Sequence, residues 1–199
     1  MTEGNRNIHA LILAAGDSSR FGNIKLLAPC RGKPLIQHVV SAAEEVLPGT
    51  CHIVLGAHRD KLTPHTGNAR VVENPHWEQG LASSLRAGIS NLPSSAEHIL
   101  LLLADQVLVT AEDIRRLIEA HKTNLNITCA KYNNTYGVPA IFAHRWFAEL
   151  MTMQGDQGAK PLILANLDVV DAVSMPNAII DIDLPQDLTG LEKQNQQNQ

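Results

Sequence analysis

The segment 98–104, reading HILLLLA, constrains the fold of this chain more than any other. It is too short for an ordinary helix and shows no alternation of polar and apolar residues. Both of its faces must therefore be covered, as in the central strand of a parallel sheet. The run 8–14 has the same character and is closed by Gly16 and a polar stretch, the pattern of a buried strand feeding a loop. Shorter strands are expected over 52–56, 70–72, 127–131, 139–143, 168–174 and 178–182, with a polar segment over 132–137 between two of them.

Helical spacing separates these strands. Pro34 is expected in the first turn of a helix, where a proline is tolerated, and apolar Leu35, Ile36, Val39, Val40, Ala43, Val46 and Leu47 then recur on one face until Pro48-Gly49 ends the pattern. A second helix is expected over 81–92, and a third starts at Thr110, whose capping partner is Asp113 three residues on. Short helices are expected over 145–151 and 160–166. Strands alternating with helices imply βαβ units: a mostly parallel central sheet with helices on both faces, the α/β class.

With 199 residues, 44% hydrophobic and 18% charged, the chain suits one domain over 1–190, followed by a disordered polar tail over 191–199, EKQNQQNQ at its end. Sixteen Lys and Arg against twenty Asp and Glu leave a net charge of -4, so no broad basic field attracts nucleic acid. No apolar stretch reaches the roughly 20 residues of a membrane span. Cys30, Cys51 and Cys129 are odd in number and widely spaced, without a CxxC, which points to a reducing compartment and a cytoplasmic location. The nine histidines show no ligand spacing on any helix and are expected to be scattered over the surface.

In an open parallel sheet, ligands collect at the carboxyl ends of strands. The loop LAAGDSSRFGNIK, from Leu13 to Lys25, directly follows the first strand. Ala14, Ala15, Gly16 and Gly22 keep bulk off the backbone, so a ligand can approach main-chain N–H groups. Ser18 and Ser19 add hydroxyls, and Arg20 and Lys25 add fixed positive charge. That set suits a triphosphate, although neither GK[ST] nor GxGxxG occurs. The same residues also suit a plain strand-to-helix turn with a solvated Arg and Lys.

Asp105, in LLLADQ, ends the most apolar strand, where a carboxylate is badly solvated unless a cation or donors compensate it. Mg²⁺ would do so, since it takes one or two carboxylates together with phosphates and water; hydrogen bonds from the following loop would also serve. Asp181 and Asp183, in IIDIDLPQDL, share a face by strand alternation and offer a second carboxylate, or else a cap for the helix after Pro185.

LAAGDSSRFGNIKLL, ADQ, GDQGAKPLI and DIDLPQDL, in that order, resemble the molybdenum cofactor nucleotidyltransferase family, closest to its molybdopterin cytidylyltransferase branch; the match covers roughly residues 10–188. The first motif alone is shared with many nucleotidyltransferases. The resemblance implies a single Rossmann-like nucleotidyltransferase domain that binds CTP and Mg²⁺, joins CMP to the phosphate of molybdopterin or molybdenum cofactor, and releases pyrophosphate. It implies that Leu13, Ala14, Ala15 and Gly16 line the base and ribose, with Gly80 and Ser84 of GLASS beside the base. Arg20 and Lys25 would hold the triphosphate, and Asp105, assisted by Asp183, would hold Mg²⁺.

Ala15 stands where the guanylyl-transferring relatives carry the first glycine of LAGG. Val107 replaces the proline of the family's Asp-Gln-Pro, and Val138 replaces the histidine of its Gly-His-Pro. Two other readings therefore stand beside the first: a related nucleotidyltransferase using GTP or a sugar or polyol phosphate, and a non-catalytic nucleotide-binding regulator or cofactor chaperone. A labile product would suit direct handover to a molybdoenzyme or its chaperone, although no sequence feature marks the surface.

Overall fold

The computed structural model describes residues 7–121 and 126–179, with the backbone alone at Arg20 and Ile179. In chain order the elements are β1 (Ile8–Ala14), β2 (Pro29–Cys30), β3 (Lys33–Pro34), α1 (Leu35–Val46), β4 (Cys51–Leu55), α2 (Arg59–Leu62) and β5 (Arg70–Glu73). There follow α3 (Leu81–Ser90), β6 (His98–Leu103), α4 (Ala111–Ala120), β7 (Ile127–Tyr132), β8 (Thr135–Ala143), α5 (Phe147–Met151), α6 (Lys160–Ala165) and β9 (Val170–Ser174).

Seven strands form one sheet in the order β5-β4-β1-β6-β8-β7-β9. Pairing is parallel from β5 to β6 and between β7 and β9, and antiparallel where β8 meets β6 and β7. The chain winds outward from β1 through β4 to β5, then crosses back to β6 on the other side of β1. That reversal opens a crevice at the carboxyl ends of β1 and β6, the place where sheets of this kind bind ligands.

The strand period of two divides the core. Ile8, Ala10, Ile12 and Ala14 of β1, with Leu100 and Leu102 of β6, face a cluster that takes in buried Ile36, Val39 and Val40 of α1 and Ile114 and Leu117 of α4. Leu11 and Leu13, with Ile99 and Leu101, face the opposite cluster, built with Leu85 of α3, Leu150 of α5 and Ile163 of α6. Ile99 to Leu102 are all at most 1% exposed, which is why the run HILLLLA carries no alternation. At Gly88 the backbone of α3 closes on β1: a Cβ there would lie 2.5 Å from a methyl carbon of Leu11.

Four expectations need correction. The strand expected over 178–182 does not begin there: Ala178 and Ile179 belong to a 3-10 turn, Pro176–Ile179, favoured by a proline that pre-sets φ and cannot donate to a ladder. The rest of that stretch, with Asp181, Asp183 and the tail, lies outside the described residues. The polar segment 132–137 is mostly strand, because β8 starts at Thr135 and only Asn133 and Asn134 turn the chain. Both take positive φ, 45° and 55°, which asparagine tolerates in a two-residue hairpin.

Pro34 lies just before α1, as its N-cap and the end of a two-strand hairpin turned at Arg31 and Gly32. The histidines are not all at the surface. His9 Nδ1 and His52 Nε2 lie 3.0 Å apart, as do His98 Nδ1 and His121 Nε2, and all four rings are at least nine-tenths buried. The first pair joins the starts of neighbouring strands β1 and β4, and the second joins the start of β6 to the C-terminal cap of α4, so both arise from tertiary packing, which residue spacing along one helix cannot reveal.

The three cysteines are free and buried, and burial pushes the Cys51 and Cys129 thiols up to about 12. No helix among the described residues is long and apolar enough to cross a membrane.

Candidate active site

The crevice holds a hollow of about 460 Å³. Leu13 and Ala14 of β1 and Leu103 and Ala104 at the end of β6 form its floor, where the Ala104 N–H donates to the Leu13 carbonyl at 3.1 Å. Ala15, Gly16, Asp17 and Ser18 rise from β1 as one wall. The chain after β4 pins that wall: the Ala57 N–H reaches the Ala15 carbonyl at 3.1 Å, and His58 Nε2 lies 2.9 Å from the Asp17 carbonyl. Ser18, at φ 59°, and Gly22, at φ 74°, bend the loop around the 3-10 turn Ser19–Phe21. Arg20 lies in that turn.

Lys25 opens the next 3-10 turn, Lys25–Leu27, anchored by buried Ile24 and Leu26. Its Nζ lies 2.9 Å from Asp105 Oδ2, an ion pair across eighty residues of sequence whose side chains are 13% and 23% exposed. Asp105 Oδ1 is buried and has no hydrogen-bond partner among the described residues. A half-compensated carboxylate at the end of a central strand is costly unless a ligand completes it. Gln106, 2% exposed, braces the position by donating through Nε2 to the carbonyls of Val138 at 3.1 Å and Ala178 at 2.8 Å.

The opposite wall begins at Gly80, before α3. Its φ is +88°, and a Cβ would fall 2.5 Å from the Gly155 carbonyl carbon and 2.6 Å from Asp156 Oδ1, so only glycine fits. The Ala82 N–H donates to the Gly155 carbonyl at 3.0 Å, which docks the GDQG loop on the start of α3. Trp77, Glu78, Leu81, Ser84 and Asp156 complete this wall.

Leu13, Ala14, Ala15, Gly16, Lys25, Gly80, Ser84 and Asp105 thus line one hollow, although the sequence separates the first and last by some ninety positions. The side chain of Arg20, and Asp183 altogether, lie outside the description. Val138 does not line the hollow; its carbonyl serves Gln106 instead. Sequence reasoning missed Trp77, Glu78, Asn74 and the lining role of Asp156. A signal was present for the first two, since NPHWEQG directly follows β5 at the carboxyl edge of the sheet. Asn74 carried none: its part depends on serines nine and ten residues further on.

The orphaned Oδ1 of Asp105 suits a hard divalent cation, which takes oxygen ligands from a carboxylate and from phosphates. Among the described residues no group of three or more side chains that could hold a metal ion occurs.

Residues 10–170 match the MobA-like NTP transferase domain. Nicotine blue oxidoreductase of Paenarthrobacter nicotinovorans is 32% identical over 184 residues, covering 83% of this chain and 86% of that protein. The bifunctional protein GlmU of Xylella fastidiosa is 32% identical over 125 residues, 57% of this chain but 25% of that longer protein. Among solved structures, Rv0371c of Mycobacterium tuberculosis H37Rv superposes with a TM-score of 0.81 at 27% identity, covering 94% of this chain and 97% of that one. Its complex with manganese superposes at 0.77 with 24% identity, covering 94% and 98%.

Proposed function

The chain belongs to the MobA-like NTP transferase domain family, and from that premise we propose that it transfers CMP from CTP to the phosphate of molybdopterin or its molybdenum form, releasing pyrophosphate. The observation that carries the transfer reaction is the ion pair of Lys25 and Asp105 inside a hollow walled by the small-residue loop after β1. The sequence resemblance, with LAAG in place of LAGG and GDQGAK further on, supports CTP and a molybdopterin-type acceptor.

An acceptor phosphate oxygen attacks the α-phosphorus of the triphosphate, the bond to the bridging oxygen breaks, and pyrophosphate leaves. Two anions must meet, so alignment and positive charge matter more than a covalent nucleophile. The acceptor phosphate is already ionised near neutral pH and needs no general base. Lys25 sets its ammonium against the charge on the α-phosphate and the leaving group, and Arg20 is assigned to the same task. The wall from Leu13 to Gly16 holds the nucleoside close to the backbone, and Gly80 and Ser84 close on it from the other side. Asp105, with Asp183, would hold Mg²⁺, which when bound would draw negative charge from the phosphate oxygens; the manganese complex of a related fold supports a divalent ion.

The deciding experiment is pyrophosphate release with molybdopterin as acceptor, comparing CTP, GTP, ATP and UTP. CTP is expected to lead by at least tenfold. A lead for GTP would overturn the cytidylyl assignment. Because Val138 stands where the family carries a histidine, the comparison extends to sugar and polyol phosphates, and faster turnover with one of these would reassign the acceptor. CTP binding without pyrophosphate release under every acceptor would favour the regulator.

A further inference from the structure

We propose that Asn74 is a positioning residue that fixes the Ser84 hydroxyl as a hydrogen-bond donor into the hollow, which favours a nucleobase that presents an acceptor atom there. This rests on the reading of the hollow as a nucleotide site, and it assigns a role to a side chain that lines no part of it.

Asn74 follows β5 and is 2% exposed. Its Oδ1 accepts the backbone N–H of His76 at 2.9 Å. An N–H can be met only by the oxygen of the amide, so the orientation of the whole group is fixed. Nδ2 then faces α3 and donates to Ser83 Oγ at 2.8 Å and to Ser84 Oγ at 3.1 Å.

The two serines differ in what remains to them. Ser83 passes its own proton to the Gly80 carbonyl at 2.7 Å, which closes its account within the loop. Ser84 receives from Asn74, its proton meets no acceptor among the described residues, and it lines the hollow at 4% exposure. A hydroxyl normally turns to suit its neighbours. Here the Asn74 N–H occupies one lone pair, and the unspent proton makes donation to a ligand the favoured bond.

The position of Ser84 selects the base over the phosphates. Lys25 and Asp105 supply the ion pair from the loop after β1 and the end of β6, whereas Ser84 shares its wall with Trp77, Gly80 and Leu81 and with the carboxylates of Glu78 and Asp156. The aromatic and aliphatic surface of Trp77 and Leu81 beside a directed hydroxyl donor suits a flat heterocycle carrying a carbonyl oxygen or a bare ring nitrogen, and two carboxylates on the same wall disfavour phosphates there.

The test is calorimetric binding of CTP to the wild type, Ser84→Ala, Asn74→Ala and the double variant. Ser84→Ala is expected to weaken binding about fivefold to tenfold, Asn74→Ala to weaken it to a similar extent, and the double variant to be no worse than either alone. Losses that multiply in the double variant would overturn the coupling and leave Asn74 a structural residue. Ser83→Ala covers the case in which Asn74→Ala fails to fold. It removes a bond to the same amide outside the hollow, and is expected to lower Tm while keeping the CTP Kd within twofold. A Ser83→Ala defect as large as that of Ser84→Ala would overturn the proposal. A wild type that binds none of the four triphosphates would overturn the nucleotide reading and this inference together, whereas tight wild-type binding with additive losses would overturn the inference alone.

Discussion

Lys25 and Asp105 concentrate the chemistry of the molecule in one contact. Replacing Lys25 with alanine strips Asp105 of its ion-pair partner and removes the ammonium assigned to the phosphates. We expect kcat/KM for pyrophosphate release to fall by about 10² or more, with Tm changed by only a few degrees, measured by steady-state kinetics beside thermal unfolding. Asp105→Asn should raise the divalent-ion concentration needed for half-maximal rate; an unchanged metal response would remove Asp105 from that role. Both residues were legible in the sequence, Asp105 because a carboxylate ending a buried strand is costly without a partner and Lys25 because it adds fixed charge to a small-residue loop at the carboxyl end of a strand. Their pairing was not legible, since residue order holds no distance between positions 25 and 105. The unspent Oδ1, likewise, is a fact of three dimensions.

At the scale of elements, β1, β6 and the helices of both layers followed from hydrophobic period, and their bounds fall within a residue or two of expectation. What escaped was decided by tertiary contact. The extra length of β8 comes from pairing with β7 that overrides the polarity of Thr135 to Gly137, and the turn at Pro176 takes in Ala178 and Ile179, which their apolar character alone would assign to a strand. The junction of Gly80 with the GDQG loop is the element contact on which the second wall depends. Gly80→Ala would place a methyl group inside contact distance of Gly155 at a positive φ. The expected cost is about 1–3 kcal/mol of stability, read by urea unfolding, with a rise in KM for the nucleotide as the loop moves off α3. An alanine variant with unchanged stability and KM would show that the two loops are not coupled.

Across the whole molecule, the sheet separates two environments. Its carboxyl edge carries the hollow, and its amino edge carries the buried histidines at the starts of β1, β4 and β6. Burial first, and then the neighbouring His9 and Arg70, lower His52 from an ordinary value near 6.5 to about 4; burial also lowers His9. A depressed folded-state value means that the unfolded chain binds more protons over that interval. The stabilisation is therefore complete above about pH 6.5 and is lost as pH falls toward 4. Between pH 7.5 and 5 the loss for His52 is on the order of 2 kcal/mol. Urea unfolding at pH 7.5 and 5 should show lower stability at the acid value, and His52→Gln should flatten that difference; a wild type equally stable at both would contradict the buried neutral pair.

The antiparallel turn of β8 has a further consequence. Because β7 runs parallel to β6, the Asn133-Asn134 tip emerges along the same edge as the hollow, yet it belongs to neither wall. Residues could be added there without disturbing the floor or the ion pair. The architecture thereby keeps the ion pair and the small-residue loop apart from a stretch of rim whose length neither of them fixes.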